Sequence, residues 1–241
     1  MNIRSYIIPI LSIAIAAGSG CSPKKPEAAE QREKWLESLN DSIAAYQKQT
    51  EEINSRLDDA RKRGGELIGS FEYVRHPRDV EGYYILHGWK GRYPLRETGL
   101  VARVTEDERF ELIATLTGAH FNEVGVTADG ETLQTEVVPH DQALNYRAGN
   151  LNTVCFTGSR ADSIGALISA HEASKITVTY LNGPKTGSLP LPDSEKAMIA
   201  ATWRLYDSQR TVHSYEKELP RLSGKIAACR RILETVDSVS D

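Results

Sequence analysis

LESLNDSIAAYQKQTEEINSRLDDA, residues 36–60, decides how the chain is read: Leu36, Leu39, Ile43, Tyr46, Thr50, Ile53, Leu57 and Ala60 recur at alternating spacings of three and four. Charged and polar residues fill the positions between, so one apolar seam runs along a helix. Arg61-Lys62-Arg63 supplies cations for a last turn and Gly64-Gly65 a stop, which predicts a coiled-coil helix over 27–65. The same spacing returns near the other end in Met198, Ala201, Leu205, Ser208, Val212, Tyr215, Leu219, Leu222, Ile226, Cys229, Leu233 and Val236. Pro190 and Pro192 precede it, and Asp193 or Ser194 can cap a second helix over 193–238. Pro220 lies inside that pattern; the seam keeps its phase through it, which predicts a bend and not a break.

Two apolar seams in one chain can cover each other in an antiparallel hairpin, with the intervening segment folded at the far end. The register expected on polar matching sets Thr50 against Ser208. It also pairs Leu36 with Leu222, Leu39 with Leu219, Ile43 with Tyr215, Ile53 with Leu205 and Leu57 with Ala201. A first helix of roughly 35 residues would form a stalk about 50 Å long. Self-association of the seams into a homo-oligomer is the rival arrangement.

Between the helices, residues 66–192 change from heptads to alternation and are numerous enough for one core. Strands are expected at 70–74, 82–87, 100–105, 109–116, 123–127, 132–138, 153–156 and 175–181. Hairpin turns are expected at Glu106-Asp107-Glu108 and Ala128-Asp129-Gly130, which makes the middle of the segment an antiparallel meander. Ser159 can cap one short helix reaching about His171, with Ile164, Leu167 and Ile168 facing a sheet. The fold class is therefore α+β: an antiparallel helical hairpin, formed by the N- and C-terminal helices, flanking a mostly antiparallel β domain with one packing helix.

The N-terminus adds a compartment. Arg4 precedes an apolar run from Tyr6 to Ala17, too short to span a bilayer, and Gly18-Ser19-Gly20 leads to Cys21. These residues resemble the signal of bacterial lipoproteins, with Gly18 where such signals usually carry a bulky apolar residue. The resemblance implies removal of residues 1–20, lipidation of Cys21 with palmitate among its acyl chains, and membrane anchorage through a linker over 21–26. Ser22 after the cysteine implies the outer membrane by the sorting rule of some diderm bacteria, with the periplasmic or surface face left open.

Composition narrows the function. The chain of 241 residues carries a net charge of −4; loss of residues 1–20 removes Arg4 and no acid, leaving 28 basic against 33 acidic groups, or −5. Such a balance, with Arg61-Lys62-Arg63 the only basic run, argues against nucleic-acid binding. Cys155 and Cys229 fall in different segments and are expected as buried free thiols. His76, His87, His120, His140, His171 and His213 are scattered without ligand spacing, so no metal or other cofactor is expected. No serine elbow occurs, and Gly158-Ser159-Arg160 lacks the second glycine.

One segment is rich in recognition chemistry. Residues 82–94 gather Tyr83, Tyr84, Trp89 and Tyr93 with Lys90 and Arg92. Strand alternation sends Tyr83, Ile85 and His87 to one side and Tyr84 and Leu86 to the other, which puts much of the group in the core. Trp89, Lys90, Arg92 and Tyr93 are expected exposed on the following loop, able to stack on a glycan or peptide. Residues 145–150 read as a polar loop. A helical hairpin beside a β domain is similar in its parts to the periplasmic adaptors of efflux pumps, but there the β halves flank the hairpin and here the helices flank the β domain. The expected function is a non-enzymatic membrane-anchored lipoprotein that displays its β domain to a protein or other envelope component. A glycan- or peptide-binding module is the alternative, and a hydrolase assembled from distant residues the third.

Overall fold

The structure, a computed structural model, describes residues 25–75, 77, 81–89 and 91–238. The expected export signal, Cys21, His76 and Lys90 lie outside the described residues. The fold is α+β, with three helices and two antiparallel sheets. In chain order these are α1 (Lys25–Ile68), β1 (Phe71–Val74), β2 (Tyr83–Leu86), β3 (Gly99–Thr105), β4 (Phe110–Thr117), β5 (Glu123–Ala128) and β6 (Glu131–Gln134). They are followed by β7 (Asn145–Ala148), β8 (Leu151–Phe156), α2 (Ser159–Ala170), β9 (Ile176–Leu181), β10 (Lys185–Pro190) and α3 (Asp193–Ser238).

The six-stranded sheet has the order β1-β2-β3-β4-β8-β7 and the four-stranded sheet β10-β9-β5-β6. Both expected hairpin turns form: β3 pairs with β4 across Glu106–Glu108 and β5 with β6 across Asp129-Gly130. Glu108 and Asp129 both take positive φ there. The continuous meander does not form, because the chain leaves the first sheet after β4 and begins the second at β5. Along β4 every residue from Phe110 to Leu116 is buried, since the sheet is covered on both faces and alternation is lost. One core joins the sheets: Phe121 meets Tyr180 edge-on at 5.0 Å, and Ile164, Ile168, Met198, Ile199 and Trp203 close it from α2 and α3.

Helix α2 begins at Ser159, but the side-chain cap expected of Ser159 is not made; Gly158, at φ 84°, precedes the helix without one. Its middle residue Gly165 lets Phe110 and Trp203 approach so closely that a β-carbon would lie 2.8 and 2.7 Å from their rings.

The two long helices lie side by side. Arg32 Nη2 donates to Val236 O at 2.9 Å, Lys225 Nζ sits 5.1 Å from the Tyr46 ring centre, and Ser208 Oγ donates to Ala60 O at 3.3 Å. Arg61 pairs with Glu216 at 2.7 Å. Residue numbers thus fall along α3 as they rise along α1.

The expected register is wrong. Ser208 meets Ala60 and not Thr50, while Leu205 packs with Phe71 and Val104 beside Leu67 and Ile68, far from Ile53. The first turns of α3 are committed to the β core: Met198, Ile199 and Thr202 are fully buried, and Ala102 N–H points at the Met198 sulfur at 3.3 Å. The apolar residues that read as the start of a seam therefore serve the sheet, and the helix pair begins only near Leu205. The matched polar layer was unnecessary, because Thr50 Oγ1 donates to Tyr46 O one turn back at 2.8 Å. Nor do Gly64 and Gly65 stop α1, which continues to Ile68; a β-carbon on Gly64 would lie 3.1 Å from Ser208 Oγ, so this glycine permits close helix approach. Helix α3 runs through Pro220 without a break.

Candidate functional site

The aromatic segment turns inward. Tyr83 and Ile85 point from β2 into the core, and after Leu86 the chain doubles back: Trp89 N–H donates to Leu86 O, and the amides of Arg92 and Tyr93 both donate to Trp89 O. This loop folds onto the indole, leaving Trp89 only 7% exposed, and the Arg92 guanidinium covers it at 4.5 Å. Tyr93 lies edge-on to Tyr83 at 5.4 Å, and the Arg103 guanidinium is 4.5 Å from the Tyr83 ring centre and 5.6 Å from that of Tyr93. Arg103 Nε is held by Glu111 at 2.6 Å. Burial raises the Tyr93 hydroxyl well above its ordinary pKa and pushes the half-buried Cys155 thiol up to about 12. Trp89 and Tyr93 are thus wall and not platform, which corrects the expectation of an exposed stacking loop; Arg92 remains at the surface. Cys155 and Cys229 are free and only partly buried.

A serine, a histidine and an aspartate do converge, at the end of α2. His171 Nδ1 and Ser174 Oγ both reach Asp129 Oδ2, at 2.9 and 2.8 Å. The Ser174 hydroxyl, then His171, holds the Asp129 carboxyl below its usual range. A serine nucleophile needs its proton directed at the imidazole; here it is directed at the carboxylate, so the hydroxyl is not activated. The group fastens the β5–β6 turn to the end of α2. Among the described residues no group of three or more His, Cys, Asp or Glu could hold a metal ion.

The built polar site lies elsewhere. A cavity of about 380 Å³ opens where the β4–β5 connection, β7, β8 and the β9–β10 turn meet. Asn122, Asn145, Asn152 and Asn182 line it with His120 and His140, and Phe121 forms its apolar wall. Two of the amides are structural. Asn152 Oδ1 accepts from Phe121 N–H at 3.0 Å, and its Nδ2 donates to Asn145 Oδ1 at 3.0 Å and Tyr146 O at 3.2 Å. Asn145 Nδ2 donates to Val138 O at 2.7 Å. Both residues are buried, and the network locks the three chain segments together.

Asn122 differs. Its backbone is used, donating to Leu181 O and accepting from Val138 N–H, yet its side-chain Oδ1 is buried without a hydrogen-bond partner. Behind His120, Arg147 places Nη1 2.7 Å from His120 Nε2 and donates from Nη2 to Asn150 Oδ1 and from Nε to Gly149 O. Sequence reading took residues 145–150 as a loop; they form β7 and its turn, with Gly149 at φ 61°. The available signal was the density of Asn and His from His120 to Asn152.

The cleft and the helix pair occupy opposite ends of β4. The turn before β4 places Glu108 beside Arg61, Gly64 and Ser208 of the helices, whereas the strand's other end leads through Gly118 to His120. Eight residues of strand put roughly 27 Å between them.

Comparison with family models, with curated proteins and with solved structures returns no match.

Proposed function

We propose that this protein is a non-enzymatic, lipid-anchored display protein of the bacterial envelope. Its terminal helices form a coiled-coil stalk, and its β domain meets an envelope component at the end remote from that stalk. The observation that carries the reading is the placement of the helix pair and the polar cleft at opposite ends of β4. Arg32 at Val236 O brings the start of α1 and the end of α3 together. A tether at Cys21 would therefore leave the cleft as the membrane-distal part of the protein. A rod of α1's 44 residues is about 66 Å long, more than a bilayer is thick. No described helix is long and apolar enough to cross a membrane. Where Ser174, His171 and Asp129 gather, the hydroxyl is directed at the carboxylate and not at the imidazole, in keeping with a non-enzymatic role.

Membrane fractionation of the full chain tests the tether, and site-specific photocrosslinking tests the display. The chain should sediment with membranes and Cys21→Ser should release it. A benzophenone at position 182 should capture an envelope component, whereas one at position 48 in α1 should not. Retention of the Cys21→Ser variant, or equal capture from both positions, would overturn the reading.

A further inference from the structure

We propose that the amide-lined cleft binds a neutral saccharide unit. This goes beyond the display role and stands separately, since the cleft can bind or fail to bind whether or not the chain is lipidated. The cavity's volume falls in the range of small-ligand sites, and its chemistry is narrow. Each side-chain amide offers a carbonyl acceptor beside an NH2 donor, a pair that matches sugar hydroxyls, which give and take hydrogen bonds at one atom. Asn145 and Asn152 are occupied in bracing the walls, which pre-organises the cleft. The Asn122 side-chain carbonyl is buried with no hydrogen-bond partner, which costs free energy until a donor reaches it. Rotation about the Cβ–Cγ bond would turn that amide toward a ligand with no hydrogen bond of its carbonyl to break.

The competing ligand classes fit worse. No lysine or arginine is among the described residues lining the cleft, so an anion would meet no cation there; Arg147 lies behind His120. An extended peptide would add to the edge of β7, but Asn145 O on that strand already accepts from Asp141 N–H at 2.9 Å. A compact, uncharged, hydroxyl-rich ligand remains, with Asn122, Asn182 and the exposed imidazole of His140 around it.

Side-chain amide signals of the 15N-labelled full chain report this directly, with chitobiose and maltose as probes and an end-blocked trialanine peptide as control. The inference expects at least one disaccharide to shift the Asn122 and Asn182 amide pairs. Asn122→Ala should weaken that binding at least tenfold while leaving the thermal midpoint unchanged, because its side-chain carbonyl makes no hydrogen bond within the protein. Asn182→Ala, on an exposed turn, supplies a second variant with the same expectation. Shifts produced by the peptide and by neither sugar, shifts confined to other parts of the protein, or full affinity in both variants would overturn it. Fractionation of Cys21→Ser does not enter this test, so failure here leaves the tether standing.

Discussion

The β core and the helix pair are held by different amounts of the same force. In the sheets, long runs such as Phe110–Leu116 of β4 are buried without interruption, and α2, α3 and both sheets contribute to one apolar cluster. Along the helices beyond Leu205, complete burial is confined to a few seam positions: Ile53, Leu57 and Ala60 on α1 and Leu222 on α3. At the far end Trp35 is 42% and Ile232 40% exposed. Two helices can only cover one stripe of each other, so outside these positions most seam residues keep one flank in water. The comparison teaches that the rod is marginal by construction and borrows its stability from the base, where α3 has already been fixed by the core.

Truncations should break or confirm that contrast, beginning with the core. Ile199→Ala removes a fully buried side chain and should cost about 2–5 kcal/mol in chemical denaturation. Leu222→Ala, the best-buried position of the outer seam, should cost about 2–3 kcal/mol, at the low end of that range. Leu39→Ala, half-exposed near the far end, should cost less than about 1 kcal/mol, and a larger loss would mean that the seam is covered by something else.

Gains are expected at the helix glycines. Gly65→Ala meets nothing within 4 Å and should stabilise by about 0.8–1 kcal/mol through helix propensity. Gly64→Ala should gain less, because its new methyl must displace the Ser208 hydroxyl at 3.1 Å. Equal gains at both positions would show that the helices do not approach closely at Gly64.

The smallest effect concerns a buried acid at the base. Glu195 accepts from Leu100 N–H at 2.9 Å, and burial raises its carboxyl above the ordinary value. A carboxyl raised on folding is easier to protonate in the folded state. Its ionisation therefore opposes folding at neutral pH, and that penalty disappears as pH falls below the folded value. Glu195→Gln keeps an acceptor for Leu100, so the variant should gain stability relative to the parent at pH 7 and lose that advantage as the solution is acidified. A pH-independent difference would assign the effect to packing.

Much of this architecture was legible in residues. Period-3.6 seams located both long helices, and alternation with Glu106–Glu108 and Asp129-Gly130 turns located eight strands. The two strands missed, β7 and β10, are short edge strands of largely exposed, polar residues, where nothing forces alternation. Register was not legible, because the apolar spacing of Met198 to Leu205 is the same whether it faces a helix or a sheet. Hydroxyls also failed as register marks, since Thr50 satisfies itself on its own helix. The fate of Trp89 depended on how the loop after β2 folds back, and the cleft on four asparagines brought from three regions of the chain. Such sites follow from topology, and a single sequence carries no local period that announces them.

Disulfide trapping in the monomer measures the central claim, the pairing of α1 with α3 in this register. In a chain with Cys155→Ser and Cys229→Ser, the pair Gly64→Cys and Ser208→Cys should oxidise within one molecule, as a β-carbon on Gly64 would lie 3.1 Å from Ser208 Oγ. The pair Ile53→Cys and Leu205→Cys, offset by about 15 Å along the rod, should not. Efficient closure of the second pair, or linkage of the first only between molecules, would contradict the account.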